Sequence, residues 1–239
     1  MIFSSDSKDD AIASLARHYD VSSSQIHRVI GNNWPDFVDW TNSAFHPVVA
    51  TLMGQALGSK TTVCDIEMAA YYHRTRYDGT KEWFSDGLVD PLNGAIKIIN
   101  AMRPFLGNDE YDSVLSASRK IIDQREAMEC GQGLCAFDVF EDALHALQSG
   151  MSYSVPEFVS ELCRNSVKGG QKLADAIKRE LRPVVVKFRA KPTDPDEYIV
   201  GLWNYLYRLD YGNDGQLIYT KPNGVVAFRD ILELKWVEA

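Results

Sequence analysis

Between Met68 and Arg76 an apolar, aromatic run ends in four consecutive polar residues, His73, Arg74, Thr75 and Arg76. The run from Met68 to Tyr72 reads as a buried strand. Its end therefore carries an imidazole, a hydroxyl and two guanidinium groups. Polar groups at the mouth of a buried strand are well placed to hold a ligand. The residues from Thr80 to Asp86 follow as a short helix, and Gly87-Leu88 closes it.

Other chemistries fail on spacing. The four cysteines, Cys64, Cys130, Cys135 and Cys163, form no Cys-x-x-Cys pair and read as buried, reduced thiols. None is paired in the sequence with a histidine that would activate it as a nucleophile. His18, His27, His46 and His145 lack ligand spacing, so no metal site is expected. Gly58 to Thr61 suggests a phosphate loop, but the first glycine of that pattern falls on Met53.

The elements that position His73 form an α+β pattern. Helices are expected over 6–32 as a pair, then over 34–60. The chain continues with the strand 63–76, helices at 93–106 and 109–129, a short strand at 134–137 and a helix at 141–147. Pro156 with Glu157 marks a helix start, followed by helices over 156–165 and 170–181. Pro183 to Arg189 is a β-branched strand, and Asp194 to Leu209 a helix. The end reads as strands at 216–220, 225–228 and 231–237, with Asn223-Gly224 as a turn. Strands and helices lack a βαβ rhythm. The expected architecture is a small, mostly antiparallel sheet with packed helices (61–239) behind a helical N-terminal region (1–60).

Composition narrows the class. The chain has 239 residues, 45% hydrophobic and 11% aromatic, enough for a packed core. No apolar run approaches the roughly 20 residues of a membrane helix, and residues 1–10 do not form a signal peptide. A cytoplasmic protein without a membrane partner is expected. The net charge of −8 argues against non-specific nucleic-acid binding. A local basic patch could still form from Arg74, Arg76, Arg103, Arg119 and Lys120.

His73-Arg74-Thr75, followed by a helix ending in Gly87-Leu88, resembles the first motif of the ADP-ribosyltransferase superfamily. There an opening strand carries His-x-Thr and a short helix leads to Gly-Leu. The resemblance implies NAD as substrate, with His73 and Thr75 on its adenosine side and Arg74 and Gly87 beside it. It implies an aromatic residue stacked on nicotinamide, Phe137 or Tyr153, and a glutamate that polarises the nicotinamide ribose, Glu157 first and Glu161 second. The segment from Asn223 to Leu234 resembles the family's last strands. The chain departs from the pattern in the long helical insert between Leu88 and Gly133 and in lacking a second-motif tyrosine or Ser-Thr-Ser. The acceptor implied is a protein or nucleic acid, and the setting that of a toxin, effector or phage-conflict protein.

A second resemblance lies at 11–30. Leu15-Ala16, Val21-Ser22, Ile26 and Val29-Ile30 stand at the apolar spacing of a helix-turn-helix unit, with Asp20 where that family usually has glycine. Only Arg28 is basic in the would-be recognition helix. Three classes remain open: an NAD-using transferase, a non-catalytic interaction protein on the same fold, and a DNA-binding regulator.

Overall fold

In the computed structural model the described residues are 2–30, 34, 46–59, 66–127, 134, 136–145, 155–211, 219–220 and 225–236. Helix α1 (Lys8–His18) starts at Ser7, whose side chain accepts from the Asp10 amide, and Asp9 and Asp10 complement the positive end of its dipole. It buries Ala11, Ile12, Leu15 and Ala16 along one stripe. Asp20 then turns the chain in the left-handed conformation (φ 51°). The Gln25 side chain accepts from the Ser22 amide at 3.0 Å to start α2 (Ser23–Val29). Helix α3 (His46–Leu57) follows.

The sheet has α+β surroundings. Among the described residues it orders its strands β4-β2-β1-β3-β5, with β1 Ala69–Tyr77, β2 Ala136–Phe137, β3 Arg182–Ala190, β4 Tyr219–Thr220 and β5 Ile231–Trp236. Antiparallel pairs join β1 to β2 (Tyr72 opposite Phe137), β2 to β4, and β3 to β5 (Val186 opposite Leu234). Phe3 adds one parallel bridge to Ala69. The remaining helices are α4 (Pro91–Met102), α5 (Asn108–Ala127), α6 (Phe140–His145), α7 (Glu157–Arg164), α8 (Gly170–Glu180) and α9 (Pro195–Tyr211).

One expected strand is replaced. Over 225–228 only Val226 pairs, in a single bridge to Leu88, and Phe228–Asp230 is a 3-10 helix. The Asp230 amide bonds back to Ala227 and turns the chain, so that Ile231 enters beside β3. The turn expected at Asn223-Gly224 lies outside the described residues.

Two compact units divide the chain. One gathers Met1–Tyr72, Cys135–Ala143 and Arg189–Pro222; the other gathers His73–Leu134, Leu144–Phe188 and Asn223–Ala239. In the first, α9 packs on α3 and α1, and Tyr198, Trp203 and Leu206 are fully buried. In the second, α4, α5, α7 and α8 enclose a hydrocarbon core that includes Ile99, Val114, Val159, Leu162, Leu173 and Ile177. No helix among the described residues is long and apolar enough to cross a membrane.

Candidate functional site

Strand β1 is the middle strand of the sheet, and its character changes halfway along. Ala69 to Tyr72 are buried, His73 to Arg76 are half-buried, and Tyr77 is buried again. Strand alternation puts His73 and Thr75 on one face and Arg74 and Arg76 on the other.

Arg76 has a structural task on its face. Its guanidinium donates to the Leu181 carbonyl at 2.5 Å, where α8 ends. A cation at a helix C-terminus meets the negative end of the dipole. Burial lowers the Arg76 pKa from its ordinary value. Arg74, expected beside the ligand with His73, shares the Arg76 face by alternation. Arg103 of the imagined basic patch stacks over the Tyr111 ring at 4.8 Å.

The closing segment of the motif is held firmly. The 3-10 helix Lys81–Phe84 lays Phe84 on Tyr77, ring centroids 5.8 Å apart and nearly parallel. Lys97 of α4 donates to the Trp83 carbonyl and stands 5.5 Å from the Trp83 ring. Gly87 has φ 80°, and a Cβ there would lie 1.9 Å from the Val226 carbonyl oxygen. Only glycine fits, because the next residue bridges the same strand segment: Leu88 donates to Val226 at 2.8 Å and accepts from it at 3.2 Å. Gly87 is thus explained by a backbone crossing within the second unit, which a ligand role does not require.

The other expected residues fall in different surroundings. Phe137 sits in β2 opposite Tyr72, only 7% exposed. Its ring is spent on packing, so stacking on a ligand is a role its burial opposes. Tyr153, the alternative aromatic, lies outside the described residues. Glu157 is the exposed first residue of α7, and Glu161 is half-buried one turn later. Helix α7 packs mainly on α5 and α8. Strand alternation thus joins His73 with Thr75, whereas Glu157 stands on a helix-packing element.

A polar cluster that the sequence reading missed lies in the first unit. Asp138 is 2% exposed and sits just after β2. Gly201 of α9 approaches it so closely that a Cβ would lie 2.6 Å from a carboxylate oxygen. Tyr71 and Tyr198 pack edge to face at 5.5 Å. The Tyr198 hydroxyl donates to the Ala70 carbonyl at 3.3 Å, and the Tyr72 hydroxyl donates to Asp6 at 2.9 Å. Burial first, then the charge of Asp138 at Tyr71 and Tyr198 and of Asp6 at Tyr72, raises all three tyrosine pKa values far above the phenol range. These hydroxyls stay protonated, and those of Tyr72 and Tyr198 act as fixed donors. Its signal in the sequence was the aspartate between Phe137 and Val139, a charge inside an apolar run. Arg208 grips Asp142 with one nitrogen on both oxygens, at 2.7 and 2.6 Å. Among the described residues no group of three or more His, Cys, Asp or Glu side chains could hold a metal ion.

The α1–α2 pair has the expected turn. Asp20 adopts the positive φ that glycine usually supplies there. Tyr19, Ile26 and Val29 are buried, while Ser23, Ser24, His27 and Arg28 face solvent. Gln25 donates to the Leu57 carbonyl at 3.1 Å and ties α2 to the end of α3. Compared with known proteins, the chain matches no family model, no curated protein and no solved structure.

Proposed function

We propose that the chain is an ADP-ribosyltransferase-like protein that takes NAD at the His73–Thr75 face of β1. The observation that carries this reading is the pairing of an imidazole and a hydroxyl on one face of the middle strand, half-open between buried neighbours. In this reading His73 and Thr75 hydrogen-bond the adenosine side of the dinucleotide. The burial of Phe137 leaves Tyr153 as the aromatic that stacks on nicotinamide. Glu157 stands against the nicotinamide ribose. The bond from ribose C1′ to the nicotinamide nitrogen breaks, and nicotinamide leaves neutral with the bonding pair. The ribose becomes an oxocarbenium-like cation, which the Glu157 carboxylate stabilises in the transition state alone. A nucleophile of a protein or nucleic acid then bonds to C1′ and gives its proton to water. The activity belongs to the cytoplasm, in the manner of a toxin, effector or phage-conflict protein.

A thermal-unfolding scan with millimolar NAD tests the binding half. A ligand that binds only the folded chain raises the midpoint. The shift is expected in wild type, lost in His73→Ala and kept in Glu157→Ala. Nicotinamide release should fall about a hundredfold in Glu157→Ala. No midpoint shift in wild type at several millimolar NAD removes the reading.

The left-handed Asp20 favours a second reading, in which α1 and α2 contact DNA through Ser23, Ser24, His27 and Arg28. Fluorescence anisotropy with a labelled duplex at low salt decides it. Binding should weaken on adding salt and in Arg28→Ala; absence of binding ends this reading.

A further inference from the structure

Strand β5 ends the sheet. Its inner edge pairs with β3, and no described residue pairs with its outer edge. The chain leading into it is fixed by the two hydrogen bonds between Val226 and Leu88. That anchoring turns Val226 inward and leaves Val225, Phe228 and Leu232 at 62%, 49% and 40% exposure. Three large apolar side chains thus stand exposed within the eight residues that lead into and begin β5. A strand edge with exposed apolar residues in and beside it is a template for another strand.

The charges on β5 say which strand. Glu233 and Lys235 share a face of the strand, their heads 3.8 Å apart within one chain. The Glu233 carboxylate is exposed, at 55%, and the Lys235 side chain is half-buried, at 18%. On the inner edge Glu233 already lies opposite Lys187. If a second β5 runs antiparallel with Leu234 opposite Leu234, Glu233 of each copy faces Lys235 of the other. The row then reads Lys187, Glu233, and Lys235 of the second copy, alternating in sign. A parallel second copy in register would instead set Glu233 against Glu233 and Lys235 against Lys235, which is repulsive. Charged residues on an edge strand commonly keep other strands away. Here their order repels a parallel copy and attracts an antiparallel one.

We propose that β5 is the interface of a two-fold dimer, two copies of this chain joining antiparallel edges about Leu234. The self-complementary charge order and the apolar rim carry it. A two-fold closes on itself and uses the β5 edge of both copies.

Light scattering on the full chain, from about 1 to about 100 μM, should show a dimer that dissociates on dilution. Glu233→Lys and Lys235→Glu should each weaken it at least about tenfold, because each sets like charges opposite across both symmetry-related pairs. An equimolar mixture of the two variants should regain the dimer, since Lys at 233 of one then faces Glu at 235 of the other. Restoration on mixing cannot come from a folding defect. Should either variant fail to fold by circular dichroism, Leu232→Lys at an exposed rim position replaces it and should weaken the dimer likewise. A monomer at the highest concentration overturns the proposal. So does a dimer as tight in the variants as in wild type, or a mixture that stays monomeric.

Discussion

The two units of this chain are filled in different ways. The second encloses Ile99, Leu162, Leu173, Ile177 and their neighbours, a core of hydrocarbon from four helices. The first buries His18, His46, Asp138 and Asp142 among Tyr71, Tyr72, Tyr198 and Trp203. Hydrocarbon interiors are held by contact area and tolerate changes that conserve volume. Aromatic and polar interiors depend on donors meeting acceptors, because a buried polar group without its partner is costly. The first unit should therefore respond to pH and to single polar changes, and the second to lost volume and to backbone clashes.

The largest expected effect breaks the second unit at its backbone. In Gly87→Ala the new Cβ meets the Val226 carbonyl at a positive φ, and neither atom is the end of a flexible side chain. Urea unfolding should show a loss of about 4 kcal/mol or more. Gly201→Ala in the first unit meets the Asp138 side chain first, with its carboxylate oxygen 2.6 Å away, and not backbone. It should cost about 1 kcal/mol, since alanine also favours the helix. Equal losses in the two glycine variants would erase this contrast.

Volume comes next. Leu162→Ala, at a fully buried position, should cost about 3 kcal/mol. Tyr198→Phe in the first unit removes only a hydroxyl and its bond to Ala70, and about 1 kcal/mol is expected. Denaturant midpoints at constant slope check both.

The pH response sharpens the comparison further. Burial lowers the His18 pKa from 6.5 to about 4. Between those values the unfolded chain binds a proton that the folded chain refuses. Stability should therefore fall as pH drops from about 6.5 to about 4, by about 3 kcal/mol from this residue, and level off below. His18→Leu should flatten that limb while keeping stability at pH 7. Asp196 and Glu197 act oppositely: burial raises their pKa values, so protonation below the neutral range favours the folded chain. An acid limb unchanged in His18→Leu would remove histidine as its source. The smallest effect belongs to Arg28→Ala on the exposed face of α2, within about 0.5 kcal/mol.

Several elements were legible from pattern alone. Helices α1, α4, α5 and α9 show apolar stripes at helical spacing. The β-branched run in β3 has one reading only. Residues 225–228 carry the same signal yet make a bridge and a 3-10 helix, because their one partner is Leu88 beyond Gly87. Of the candidate site, the His73–Thr75 pairing follows from strand alternation. The burial of Phe137 and the anchoring of Arg76 to Leu181 do not, since both depend on elements distant in the chain.

The amino-acid order by itself determined the helices with apolar stripes, the strand character of β1 and β3, the polar end of β1 and the charge alternation along β5, because these follow from near-neighbour periodicity. Tertiary structure alone decided that Gly87 serves a backbone crossing, that Gln25 fastens α3, and that Asp138 lies against Gly201. Those contacts join residues from tens to more than a hundred positions apart, and local spacing holds no information about which distant group arrives.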